Sequence, residues 1–373
     1  MKKFTIVVSL LLAVSLLGGC GWPRAAETGK GVIIIGAVLP LTGASAEFGN
    51  QMKQGLDLAG DNINSHRGIN GKMVKILYED SQGDTKTGLS AYKKLRMTDN
   101  IQFVFSAISG VTLAILPEAA KDNVLVLTSS TQPEITSGKY LALRIYLTAE
   151  QEAVDMADFA FNNLGVRKAG VIYQNSDSLR GYNEKFKERF EELGGNVYSE
   201  SFDVGSADFR TQLIKLWKEK PEAIYICGWE ENGIIAKQAR ELSIDVQLLG
   251  TMTFNSPKTV EVAGSAAEGA IFTIPSFDLT SSKQQMAYFR NSYKQAYGKD
   301  PDLTTALFYD GLMMLADGIK EVGVDAQKVL SAVIAMKNYE GATGSISYKG
   351  NGDIIMPLEF KVIKDGRFVK YTE

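Results

Sequence analysis

Residues 124–136 read VLVLTSSTQPEIT. Val124, Leu125, Val126 and Leu127 form an unbroken apolar run, the mark of a strand buried on both faces of a parallel sheet. The chemistry then changes within one residue. Thr128, Ser129, Ser130 and Thr131 follow, and Pro133 comes just after them. In open α/β sheets, ligands bind outside the carboxyl ends of the strands. A hydroxyl-rich stretch in that place is either a polar exit turn or the lip of a binding site, and the rest of the chain decides between them.

Upstream, residues 32–39, 74–78 and 103–105 read as strands, and residues 51–64, 85–98 and 113–121 carry helical spacing. Such βαβ repetition implies a parallel sheet with helices on both faces. After residues 141–146 the pattern starts again. Strands at 170–173, 197–202, 223–227, 247–249 and 270–274 alternate with helices at 150–164, 182–193, 209–218 and 232–242. A helical block, 283–337, and a β-rich tail, 345–369, close the chain. A chain of 373 residues exceeds one typical core. The fold expected is α/β with two doubly wound lobes.

At the start, Lys2 and Lys3 precede an apolar run over 4–17, then Gly18, Gly19 and Cys20. This is the order of a signal peptide, and the run is shorter than the ~20 residues of a membrane span. Leu17-Gly18-Gly19-Cys20 resembles a bacterial lipobox, which implies lipid on Cys20 and a membrane-anchored, exported protein; an ordinary signal with a chance cysteine is the alternative. Residues 1–19 are then the lipoprotein signal and 20–31 a flexible tether. Without residues 1–19 the chain holds 38 basic and 43 acidic residues, a net charge of −5. A mild acidic balance with no basic block argues against nucleic acid as a partner.

Catalytic signatures are missing. His66 stands alone beside the Arg67-Gly68 turn, and Cys227, in an apolar run, has no partner if Cys20 carries lipid. A His/Cys metal site is excluded on those counts, and Cys227 reads as an inert core thiol. Neither a G-x-S-x-G elbow nor a phosphate loop occurs. The adjacent acids Glu191-Glu192 and Glu230-Glu231 read as solvated helix faces. Binding without chemistry, and without a cofactor, is the expectation.

Several segments are similar to the type I solute-binding proteins of ABC importers, particularly the branched-chain amino acid receptors. They are residues 35–43 (IGAVLPLTG), Gly68-Ile69-Asn70-Gly71 with the strand after it, Asn255-Ser256-Pro257, Ala266-Ala267-Glu268-Gly269 and Ala306-Leu307-Phe308-Tyr309-Asp310. The resemblance covers nearly the whole mature chain. It implies two α/β lobes joined by a three-strand hinge, with a small molecule trapped between them by hinge closure and delivered to permease membrane subunits. The lobes would be 32–146 plus 278–337 and 147–277 plus 338–373, with crossings near 146–148, 276–278 and 337–339.

The resemblance also assigns ligand-binding positions. Ser109, Ser130 and Thr131 would hold the ligand's carboxylate, and the loop containing Ser109 is one residue short. Phe48 matches an aromatic that closes over the ligand. In the second lobe Ser178 replaces a tyrosine, and Trp229 stands at a cleft aromatic. Met252 falls where the family carries the acid that binds the ligand's ammonium. A thioether leaves a buried ammonium unpaired, which is costly. Either Glu230 substitutes, or the ligand is a carboxylate without an ammonium, such as an aromatic acid. An extracytoplasmic sensor is a further alternative.

Overall fold

The computed structural model describes residues 31–43 and 45–372, with the backbone alone at Asp177 and Ser178. The expected signal peptide, most of the tether and Cys20 lie outside the described residues. The first lobe begins with β1 (Val32–Leu39), α1 (Ala46–Ser65), β2 (Met73–Asp80), α2 (Thr85–Asp99), β3 (Phe103–Ser106), α3 (Ser109–Lys121), β4 (Leu125–Thr128) and β5 (Ala142–Arg144). The strands pair in parallel in the order β2-β1-β3-β4-β5. Alternate residues of each strand feed opposite cores. Ile35, Phe105 and Leu127 pack on one face with Leu56 of α1. Val38, Val104 and Val126 pack on the other with Tyr92, Leu95 and Ile115. Two covered faces explain why residues 124–127 show no polar alternation.

The second lobe follows with α4 (Ala149–Asn162), β6 (Lys168–Gln174), α5 (Asp177–Glu192), β7 (Asn196–Phe202), α6 (Arg210–Lys218), β8 (Ala223–Cys227), α7 (Asn232–Glu241), β9 (Gln247–Gly250), α8 (Pro257–Ala263) and β10 (Ile271–Pro275). Its own cores lie on either side of the sheet, around Phe186, Phe190 and Tyr225 on one face and Ile224, Leu248 and Phe272 on the other. The chain then returns. Helices α9 (Gln284–Tyr297), α10 (Leu303–Val322) and α11 (Ala326–Ala335) bury Phe289, Leu312, Leu315 and Val329 in the first lobe's core. The hairpin strands β11 (Tyr339–Gly341), β12 (Gly344–Tyr348) and β13 (Ile354–Ile355) form a small antiparallel sheet, and β14 (Leu358–Lys364) and β15 (Arg367–Lys370) extend the second lobe's sheet from β10. Among the described residues no helix is long and apolar enough to cross a membrane.

Three helix starts and one crossing differ from expectation: α3 begins at Ser109 rather than at residue 113, and α5 at Asp177 rather than at residue 182. Helix α1 starts at Ala46 rather than at residue 51. Its first turn carries Gly49, where a Cβ would lie 2.0 Å from the Pro40 carbonyl oxygen, so a contact rather than a periodicity sets the start. The third crossing also moves. It was expected at 337–339, with 338–373 in the second lobe. Instead Ala342, Ile346, Tyr348, Ile354 and Met356 belong to the first lobe's core, and the chain crosses at Pro357.

A buried carboxylate causes this. Asp310 on α10 is 1 % exposed. It accepts hydrogen bonds from the Ala342 N–H at 2.6 Å, the Thr343 N–H at 2.8 Å and the Thr343 hydroxyl at 2.7 Å. A Cβ on Gly341 would come within 2.6 Å of the same carboxylate, which fixes glycine there. Burial pushes the Asp310 carboxyl up to about 6, against the bonds it accepts. Asp310→Ala removes the acceptor from two buried N–H groups and a hydroxyl, each costing about 1–3 kcal/mol when left unsatisfied. Denaturant unfolding should show a loss of about 3 kcal/mol or more, and a loss near zero would remove Asp310 from this role.

Candidate functional site

Each sheet has a point where the winding reverses, and the crevice at the carboxyl ends of the strands there is the natural ligand position. In the first sheet it lies between β1 and β3, and in the second between β6 and β8. On the first lobe, Asp80 at the end of β2 fixes the residues after β1. It accepts the Leu41 and Thr42 N–H groups at 2.9 and 3.3 Å and the Thr42 hydroxyl at 2.5 Å. Burial works against this carboxylate, but bonds from Thr42, Gln82 and Leu41 hold its pKa below the ordinary value.

The ends of β3 and β4 are joined by buried hydroxyls. Ser106 meets Thr112 at 3.0 Å, Thr112 meets Thr128 at 3.1 Å, and the Ser130 N–H donates to Thr128 at 3.1 Å. The Ser130 hydroxyl donates to the Ser109 oxygen at 2.9 Å. Ser130 therefore uses its N–H and O–H inside the loop, and the Ser109 oxygen accepts one of them. Ile108, just before Ser109, has φ 66°. A β-branched residue rarely takes this conformation, and it costs of order 1–3 kcal/mol. Ile108 is the last residue before α3 begins.

Beneath the hydroxyls lies Arg144, at the end of β5 and fully buried. Its guanidinium donates to the Ser130 carbonyl, to the Gln132 carbonyl at 2.7 Å and to the Thr136 hydroxyl at 3.2 Å. Its Nε meets Asp353 at 2.9 Å. Burial works against the Asp353 carboxylate, but bonds from Thr136, Arg144 and Asn351 hold its pKa below the ordinary value.

The second lobe's edge is built differently. Gly228, after β8, is clamped: its N–H donates to Asn232 Oδ1 at 3.0 Å and its carbonyl accepts the Thr253 hydroxyl at 2.7 Å. Asn232 also donates to Thr253 at 2.8 Å. Glu231 accepts from Gln174 Nε2, at the end of β6, at 2.9 Å and from the Trp229 N–H at 3.1 Å. Met252 is held from two sides. Its N–H donates at 2.5 Å to Glu152 on α4, and its sulfur accepts the Tyr146 hydroxyl. Glu152 is 1 % exposed and also accepts from the Tyr182 hydroxyl at 2.5 Å and from the Thr273 hydroxyl. Burial pushes its carboxyl up to about 7 in spite of these bonds.

Thus Ser109 and Ser130 are in contact, and Thr131 lines an adjoining cavity of about 370 Å³. Gln132 and Pro133 of the first lobe and Glu150, Arg180 and Lys185 of the second line it too. Phe48 and Trp229 stand outside that cavity, and the two residues are 57 % and 51 % exposed. Ser178 is the second residue of α5, and its side chain lies outside the described residues. Glu230 faces solvent and pairs with Lys258 at 2.9 Å. Among the described residues no group of His, Cys, Asp and Glu could hold a metal ion. Cys227 is buried and free, and His66 caps the end of α1.

The family model described as periplasmic binding protein matches residues 32–367. The chain belongs to the periplasmic binding protein family. Its relatives include Leu/Ile/Val-binding protein homolog 3 of Brucella melitensis biotype 1, 28 % identical, with 97 % of this chain and 99 % of the relative covered. The leucine binding protein LivK of Thermotoga maritima has a similar solved structure, with a TM-score of 0.79, 29 % identity, and 91 % of this chain and 98 % of that one covered. A solute binding protein of R. palustris, solved with benzoate, shares the fold at a TM-score of 0.72 and 19 % identity, with 91 % and 95 % covered. Membership of the family implies an exported location.

In this periplasmic binding protein, sequence reading alone missed Arg144, Asp353, Glu152 and Glu231. Arg144 interrupts the apolar run at 141–147, a signal of a buried ion pair. Glu152 shares the spacing of Ala149, Ala153 and Met156, all buried, which marks it as core-facing. Glu231 carries no such signal beside Glu230, and reading both acids as a solvated face holds for Glu230 alone.

The Glu152 pKa gives a pH dependence with a definite sign. Folded, the group holds its proton more tightly than the unfolded chain, whose carboxyl titrates near 4.5. Its contribution is complete below about pH 4.5 and is lost as pH rises through about 7. Between pH 5 and pH 8 the wild type should therefore lose about 2 kcal/mol of unfolding free energy relative to Glu152→Gln. Parallel pH dependences for the two proteins would contradict a raised pKa at Glu152.

Proposed function

We propose that this protein is the extracytoplasmic receptor of an ABC importer, that it captures a small apolar amino acid of the branched-chain type, and that it hands the amino acid to the permease subunits. The observation that carries this reading is the hydroxyl loop at the first lobe's carboxyl edge, where Ser109 and Ser130 are in contact and Thr131 lines a cavity. A carboxylate suits such donors, and bonds to a charged acceptor are the stronger kind. The names of the relatives, which are Leu/Ile/Val-binding and leucine binding proteins, support the apolar side chain. Ligand contacts on both lobes would stabilise closure by the ligand's differential affinity for the closed form. The bare rings of Phe48 and Trp229 are suitable surfaces for an apolar body.

A second reading keeps the fold and removes the ammonium. It is favoured by Met252, whose sulfur is taken up by Tyr146, and by Glu230, which pairs with Lys258. The ligand would then be a small carboxylic acid such as benzoate. Titration calorimetry of the mature protein with leucine and with benzoate separates the two. Tight leucine binding supports the first reading, and benzoate binding without leucine binding supports the second. In either case Thr131→Val should weaken the ligand by about tenfold or more, the worth of one hydrogen bond to a charged group, and an unchanged affinity would take Thr131 out of the site.

Anchoring through lipid on Cys20 belongs to the same reading, since the apolar run and Gly18-Gly19 precede it. Mass spectrometry of the mature N-terminus should find a diacylated cysteine, and Cys20→Ser should abolish the modification. An unmodified mature N-terminus would rule the anchor out.

A further inference from the structure

An amino acid enclosed between two lobes brings a positive charge with it, and a buried charge needs a partner. Besides Glu150 and Glu184, which line the Thr131 cavity together with Arg180 and Lys185, three acids stand near the strand ends of the second lobe. Glu152 lies behind Met252, is 1 % exposed, and has both oxygens occupied by internal donors. Glu230 has a side chain 79 % exposed and an ion pair with Lys258. Glu231 differs from both. Its carboxylate is held over the ends of β6 and β8 by Gln174 Nε2 at 2.9 Å and the Trp229 N–H at 3.1 Å. That is the crevice where the second sheet's winding reverses.

We propose that Glu231 is the specificity-determining acid that receives the ligand's ammonium, in place of the acid absent at Met252. The proposal rests on the amino acid reading above. Among the described residues the Glu231 partners are neutral donors, so its charge is oriented but not cancelled. A carboxylate offers about four acceptor positions, and these two bonds leave room for an ammonium. The support is rigid. The Gly228 N–H and carbonyl are both bound by the Asn232–Thr253 pair, and Thr253 is held in turn by Thr251 at 2.7 Å. A preorganised acid of this kind contributes affinity because its ordering is complete before the ligand arrives. The acid has moved from the strand end after β9 to the strand end after β8, one strand nearer the reversal point.

The test is calorimetric titration of the mature wild type, E231Q and E230Q with L-leucine and with 4-methylpentanoate, the same skeleton without the ammonium. Thermal unfolding of each ligand-free protein reports whether the fold is kept. The wild type should prefer leucine. E231Q should weaken leucine by about thirty-fold or more, the usual effect of truncating one partner of a desolvated charge pair. It should leave 4-methylpentanoate as it was or tighten it. Equal loss of both ligands in E231Q means that the residue only supports the loop, and it overturns the proposal. So does leucine affinity unchanged in E231Q, or a leucine-specific loss carried by E230Q instead; both leave the amino acid reading intact. A wild type that binds no amino acid among leucine, isoleucine, valine, alanine, threonine and phenylalanine overturns the proposal and that reading together.

Discussion

The buried guanidinium of Arg144 is the constraint on which the first lobe's binding edge depends. Removing such a group from water is unfavourable by several kcal/mol, and the cost is recovered only when every donor finds an acceptor. The acceptors here come from two segments: the loop just before β5, with the carbonyls of Ser130 and Gln132 and the hydroxyl of Thr136, and the carboxylate of Asp353, some two hundred residues later. Once the carbonyls are drawn inward, the loop after β4 has one way to lie. On the proposed reading, the side chain of Thr131 and the hydroxyl of Ser109 are the groups offered to a ligand. Asp353 sits on the hairpin that Asp310 pins from the other end. One buried and one half-buried carboxylate thus transmit the packing of the late hairpin to the edge of the early sheet.

The second lobe reaches the same end with neutral chemistry. Asn232, Thr251 and Thr253 tie the ends of β8 and β9 together without any charge in the network. Among the described residues its one deeply buried acid, Glu152, is surrounded by hydroxyls and an N–H rather than by a cation. The groups that face it include Tyr146, Tyr182, Tyr225 and Cys227, each with its pKa driven upward, first by burial and then by Glu152 itself, except that at Tyr225 the neighbouring Cys227 comes before Glu152. The two halves of the cleft therefore respond to pH by different means, although they share one architecture.

Much of this was legible in the residues. Unbroken runs such as 124–127 and 223–227 gave strands with two covered faces, and the restart after residue 146 separated two cores. The positions of Ser109 and Ser130 followed from strand ends and from family resemblance, and the two do meet. What stayed hidden depends on contacts between distant segments. Nothing local in the tail distinguishes residues 339–356 from 358–370, because the assignment is made by Asp310, some thirty residues earlier. Likewise the division of labour between Glu230 and Glu231 is decided by Lys258 and Gln174, neither of which is near them in sequence.

The displaced third crossing has a mechanical consequence. Where the chain passes back at Pro357 it runs beside the second crossing: the Ser276 N–H donates to the Pro357 carbonyl at 2.8 Å, and Leu358 pairs with Pro275. These two connections form a single hydrogen-bonded ribbon, while the first, at 145–148, runs separately. Three covalent links thus behave as two attachment points, and two points define an axis. Rotation about that axis deforms only torsions within short linkers, whereas twist or sliding across it would shear the ribbon's hydrogen bonds. The architecture leaves the lobes one soft degree of freedom.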